Sequence, residues 1–191
     1  DNTRVDQKRD GVVNTHTYSF DGSMIRNNLN ISLSESHCET HMYGLYVTNG
    51  TSHVDNHTAV DHLKPDSYSN EIYKGILDDA STGIFNGKIF VRPDAQKTNA
   101  FQSNKNVLLT ETSRVNTKPQ LEIWADDVKC SHGCTTGQID KKQLFYIRSR
   151  GIGEKMARII LLHAFAADVL DNVKIAALKE LLDQMVTKRL H

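Results

Sequence analysis

A mainly β chain, wound as a parallel β-helix (a solenoid) and ending in an α-helical hairpin, is the architecture this sequence predicts. Three observations predict it. Short β-prone runs recur through the first 150 residues, each followed by Asn, Gly, Asp or Ser. These runs hold more Asn, Thr, Ser and His than the apolar face of a sandwich strand normally carries. Solenoid coils accept small and medium polar residues in stacked ladders. After Gly151-Ile152-Gly153 the apolar spacing changes from two residues to three or four.

The strand candidates are residues 17–20, 29–33, 43–47, 88–91 and 121–124, rich in Ile, Val, Leu and aromatic residues. Asp21-Gly22, Asn49-Gly50 and Asn86-Gly87 read as turns, and Pro65, Pro93 and Pro119 as strand boundaries. Ile31 to Tyr46, Ile76 to Phe90 and Leu108 to Ile123 keep a near-constant spacing, compatible with an irregular rung. An antiparallel sandwich is the alternative. In 154–170, Ala157, Ile160, Leu161, Ala164, Phe165 and Val169 form an apolar helical face. A second pattern starts at Val173 or Lys174 with Leu178, Leu181, Leu182 and Met185, Asn172 being a candidate N-cap. The division is a β-helix core over 1–150 and a helical domain over 151–191.

Composition removes several functions. The 191 residues carry 23 Lys plus Arg against 23 Asp plus Glu, so no general electrostatic attraction to nucleic acid or an anionic membrane exists. No apolar run reaches membrane-spanning length, and the cytosol is the expected compartment. Cys38, Cys130 and Cys134 are too few for a disulfide framework. The start at Asp1, without Met, reads as a fragment of a longer chain. No Gly-rich phosphate loop and no nucleophile elbow occur. Asp78-Asp79 and Asp126-Asp127 point to opposite faces if extended, which disfavours paired acid–base work.

The densest chemistry lies in Val128-Lys129-Cys130-Ser131-His132-Gly133-Cys134. Two thiols and an imidazole within seven residues suit a soft metal, and the segment reads equally as a simple turn. If the backbone is extended, residues two apart emerge on one face, so Cys130 and His132 converge on one ion. Three residues do not complete a tetrahedral structural site. His53, His57 and His62, with Asp55 and Asp61, read as polar ladder packing in preference to a second metal site.

The block running from Lys118-Pro119-Gln120 through Lys129-Cys130-Ser131-His132-Gly133, with Gly137-Gln138-Ile139-Asp140 and Leu144-Phe145-Tyr146-Ile147-Arg148-Ser149-Arg150-Gly151, resembles the SufD branch of the SufB/SufD scaffold family of the Suf iron–sulfur cluster assembly system. Gly11-Val12-Val13-Asn14, His53-Val54-Asp55 and Lys97-Thr98-Asn99-Ala100-Phe101-Gln102 agree with it. The resemblance implies a right-handed β-helix and a non-catalytic scaffold. It implies a SufB-like partner paired through the β-helix and a SufC-like ATPase docked on the C-terminal helices, with Asp168 and Asp171 near the contact. A homodimer is expected when the partner is absent. His132 matches the family histidine implicated in cluster assembly, and Cys130 stands beside it. Cys134 replaces a residue that is usually Ala and reads as a filler. No cofactor is expected to bind the isolated chain tightly; an iron ion or iron–sulfur cluster is held transiently at the subunit interface. The rival readings are a β-helix enzyme acting on carbohydrate and a purely structural dimerising β-helix.

Overall fold

The computed structural model describes residues 1–190. Ten strands come first: β1 (Asn2–Gln7), β2 (Val12–Ser19), β3 (Met24–Leu33), β4 (Glu39–Thr48), β5 (His53–His62), β6 (Tyr68–Leu77), β7 (Thr82–Val91), β8 (Asn99–Leu108), β9 (Arg114–Ile123) and β10 (Lys129–Gly137). They form two parallel sheets in the orders β1-β3-β5-β7-β9 and β10-β8-β6-β4-β2. Successive strands therefore alternate between sheets, and the chain winds a right-handed solenoid of about five turns. Met24 pairs with His53, His53 with Thr82 and Thr82 with Arg114, so one full coil separates each of these positions from the next. The near-constant spacing visible in the sequence is only half a coil: Ile31 and Tyr46 lie in opposite sheets.

The solenoid interior holds a main core of Leu29, Ile31, Leu33, Met42, Val60, Phe85, Ile89 and Val91 and a smaller cluster of Tyr46, Val54 and Leu77. Two expected punctuation marks fall inside strands. Asn86-Gly87 lies within β7, where Gly87 faces inward and a Cβ would strike the Gln102 amide and the Phe85 ring. Pro119 lies within β9. Arg114 donates its N–H to Ser81 on the β7 side and Trp124 donates to Val91, so the odd-numbered positions, Pro119 among them, turn towards the outer edge. A missing N–H is harmless there.

The hairpin is α2 (Glu154–Leu170) and α3 (Ala176–Leu190), and it is preceded by α1 (Lys141–Arg148), a helix the sequence reading passed over. Asp140 caps α1, its carboxylate accepting from the Lys142 N–H at 2.8 Å. Asn172 does not cap α3; its amide donates to the Asp168 carbonyl at 2.7 Å, closing the end of α2 instead. A second core forms where α2 and α3 cover the outer face of β4 and β6. Leu45, Val47 and Ile76 meet Leu162, Ala166, Val169, Leu182 and Val186 there. Each buried Leu, Val or Ile side chain among them contributes roughly 1.5–3 kcal/mol by leaving water. The buried face of α2 is Ala157, Ile159, Leu162, Ala166, Val169 and Leu170, one residue round from the expected stripe, and Ile160 is exposed.

One cation joins solenoid to helices. The Lys74 side chain, 3% exposed, leaves β6 beneath α2, pairs with the Asp168 carboxylate and donates to the Phe165 carbonyl at 2.7 Å. Asp168 is thereby part of an internal joint, so charge reversal there disturbs the fold as well as any docking surface. The joint predicts an asymmetry. Asp168→Ala strands a buried ammonium and should cost about 2–3 kcal/mol, whereas Lys74→Met frees an already exposed carboxylate and should cost under about 1 kcal/mol. Urea unfolding of the two variants checks this, and equal costs would refute it.

Candidate functional site

Residues 130, 132 and 134 lie in a strand and not in a turn. Strand β10 pairs with β8 alone, matching Cys130 to Ala100, His132 to Gln102 and Cys134 to Asn104. Ala100, Gln102 and Asn104 are buried side chains of the solenoid interior. Parallel ladders keep partners on the same face, so Cys130, His132, Cys134 and Thr136 face the same way. They lie on the last coil, and among the described residues no further strand stacks on β10; His132 and Cys134 are exposed. Cys130 is half-buried and packs against the interior core beside Leu121 and Val128. Burial pushes its thiol up, with the Ala100 backbone amide opposing, so the thiol stays protonated at neutral pH until a metal or base displaces the proton.

Cys130 and His132 are two residues apart on one face, a Cα separation of about 6.6 Å in an extended strand. That lets a short thiol and a longer imidazole lean towards one ion. Among the described residues no group of three or more His, Cys, Asp or Glu side chains is gathered tightly enough to hold a metal. Thiolate and imidazole are donor types that suit iron, and two donors alone leave an ion's coordination incomplete.

The remaining sequence candidates separate. His57 lies on the outer face, its Nε2 2.8 Å from the Asp55 carboxylate, which also accepts from Arg26 at 2.9 Å. His62 is buried inside, its Nε2 2.9 Å from the Ser69 hydroxyl. They share no site. Cys38 is buried in the interior core, where its thiol donates to the Glu35 carbonyl at 3.1 Å.

Sequence reasoning missed the polar column under His132. In register below it stand Gln102 of β8 and Glu71 of β6, both interior and buried. The Gln102 amide donates to the Glu71 carboxylate at 2.7 Å. Burial pushes the Glu71 carboxyl up to about 7, with the Thr58 hydroxyl and the Gln102 amide beside it opposing. The only signal that could have found the column is the coil length, which brings positions 71, 102 and 132 into one line.

Known proteins match this sequence over most of its length. The family described as SUF system FeS cluster assembly, SufBD core domain, matches residues 1–165. An iron–sulfur cluster assembly SufBD family protein of Synechocystis is 39% identical over 164 residues, covering 86% of this chain and 36% of that protein. The iron–sulfur cluster assembly protein SufD of Escherichia coli is 35% identical over 181 residues, covering 95% of this chain and 43% of that protein. A SufBD family protein of Mycobacterium leprae is 34% identical, covering 90% and 46%. The chain spans less than half the length of these curated relatives. A parallel solenoid with a helical end, matched across most of its length by these relatives, belongs to the SufB/SufD family of iron–sulfur cluster assembly scaffold proteins.

Proposed function

We propose that this chain is a non-catalytic scaffold subunit in iron–sulfur cluster assembly, lending His132 and Cys130 to an iron ion or cluster shared with a SufB-like partner. The observation that carries this reading is the last strand: β10 carries an exposed His132 and a half-buried Cys130 on one face and, among the described residues, has an unpaired edge. Lys129 donates its N–H to Thr98 on the β8 side, so the backbone groups of residues 130, 132, 134 and 136 turn outward. No charge or proline guards β10 after Lys129, whereas Pro119 blocks the outer edge of β9. An unguarded parallel edge is a template for another chain's strand, which favours pairing with a homologous coil, or with a second copy when the partner is absent.

The helical end supports docking of a SufC-like ATPase. Ile175, Leu178, Leu181 and Met185 form an exposed apolar stripe on and before α3, with Ile175 64% and Leu181 52% exposed. An apolar patch of this kind marks a protein contact. No helix among the described residues is long and apolar enough to cross a membrane, and the proposed site of action is the cytoplasm.

The test is reconstitution of the whole complex with wild-type and His132→Ala chains, read as iron–sulfur absorbance per complex. The imidazole is exposed, so His132→Ala should leave subunit association unchanged and lower cluster yield at least about tenfold, the usual scale for losing a metal-site contact. Thr136→Pro, which removes an outward N–H and leaves the β8 ladder intact, should instead weaken association. Equal cluster yields from equally stable complexes would refute the ligand role.

A further inference from the structure

We infer that Gln102 is a positioning residue for His132: its side-chain carbonyl, buried and unpartnered, is the acceptor that the imidazole N–H takes up when the ring turns inward, which fixes the ring nitrogen that carries the free lone pair. The inference deepens the ligand reading above and rests on it for its functional consequence. Gln102 and His132 are paired in register on the inward face of adjacent strands, which lie about 4.8 Å apart in a sheet. Gln102 is 3% exposed. Its orientation is set from below: the amide N–H donates to the Glu71 carboxylate at 2.7 Å, so Nε2 faces β6, and at pH 8, where that carboxylate is mainly ionised, it can only accept. The amide oxygen, the other end of the same group, is buried without a partner within the solenoid, and the next residue in register is His132 of β10.

An unpartnered buried amide oxygen carries a substantial desolvation cost. The next polar group in the column that can relieve that cost is the His132 imidazole. Space for the arrangement is made by Gly87, since any Cβ at that position would strike the Gln102 amide and the Phe85 ring. Below Glu71 the same column continues through Met42, fully buried, to Thr15 of β2. Met42 therefore separates the Glu71–Gln102–His132 stretch from the polar residue beneath it. A ligand histidine whose second nitrogen donates to a fixed acceptor is held in one tautomer and one ring orientation. Glu71 acts one step further back, by holding the amide.

The test reads the tautomer directly in the isolated chain. Long-range 15N–1H correlation at pH 8 distinguishes the two ring nitrogens, and His132→Ala identifies which imidazole is which. One His132 tautomer should dominate in the wild type. Gln102→Met should reduce that ratio about fivefold, the scale of one neutral hydrogen bond. Because Gln102→Met alone leaves Glu71 buried without its donor, Glu71→Met/Gln102→Met is measured beside it; replacing both groups by apolar ones preserves folding. An unchanged ratio in the folded double variant overturns the inference, whatever His132 binds. In the reconstituted complex Gln102→Met should give a cluster yield between wild type and His132→Ala. If His132→Ala leaves the yield unchanged while the tautomer ratio shifts, the ligand reading fails and the positioning geometry stands.

Discussion

Gly44→Val and Gly75→Val should each destabilise the protein by about 3 kcal/mol or more, lowering the melting temperature by roughly 6–12 °C. The cause is a reciprocal exchange between neighbouring coils. Gly44 of β4 pairs with Tyr73 of β6, and Tyr46 of β4 pairs with Gly75 of β6. Each buried ring lies across the partner's glycine, and a Cβ at either glycine would overlap the ring it faces. Each ring then reaches one strand further. The Tyr73 hydroxyl donates to Thr17 of β2 at 3.3 Å, and the Tyr46 hydroxyl donates to the Asn106 side-chain oxygen in β8. A valine must push a fully buried ring off its strand and break that hydrogen bond as well. The check is a double-mutant cycle by denaturant unfolding. Gly44→Val combined with Tyr73→Ala should cost clearly less than the two single changes added together, because the ring to be displaced is gone. Strict additivity would show that the clash is not the cause.

That exchange illustrates what the sequence makes legible and what it hides. The β-rich first part and the helical pattern of 154–170 are written in residue types: β-branched and aromatic runs, then a three-to-four apolar spacing ended at Asp171. Coil length is not. Strand partners such as Met24 and His53, or Thr82 and Arg114, sit a full coil apart in the chain. The half-coil spacing looks like a rung because both sheets supply similar strands. Without the true period, Gly44 cannot be matched to Tyr73, nor His132 to Gln102 and Glu71. Asn86-Gly87 imitates a hairpin turn for the same reason: its glycine answers to a side chain one coil away, and local sequence carries no trace of that demand. The Cys130 and His132 pair was visible because its spacing of two is a property of one strand. The exposed stripe of Leu178, Leu181 and Met185 shows the converse limit. Its period announces a helix, but period alone does not say whether the stripe meets this chain's core or another protein.

Stability should depend on pH through two buried interior groups whose effects oppose one another. Glu71 is pushed from its ordinary 4.5 up to about 7, principally by burial. Between those values the folded chain holds a proton that the unfolded chain has released, so stability falls as pH rises. His62 is depressed from 6.5 to about 4, again by burial, with Asp61 opposing. Between 4 and 6.5 the unfolded chain takes up a proton that the folded chain refuses, so stability falls as pH drops. Each displacement corresponds to about 3 kcal/mol across its window. Over the shared range, 4.5 to 6.5, the two slopes have opposite signs and largely cancel in the wild type. Removing one group exposes the other. The stability of Glu71→Gln relative to wild type should rise by about 3 kcal/mol between pH 4.5 and 7. That of His62→Asn should fall by about 3 kcal/mol between pH 4 and 6.5. Exposed carboxylates titrate alike in all three chains and drop out of the comparison. Urea midpoints measured at several pH values between 4 and 7.5 decide the matter: curves that run parallel for wild type and variants would mean that neither interior group changes its protonation on folding. Diverging curves of the stated signs would place a titrating carboxyl directly beneath the Gln102 amide, inside a wall of the solenoid that the composition alone describes as merely polar.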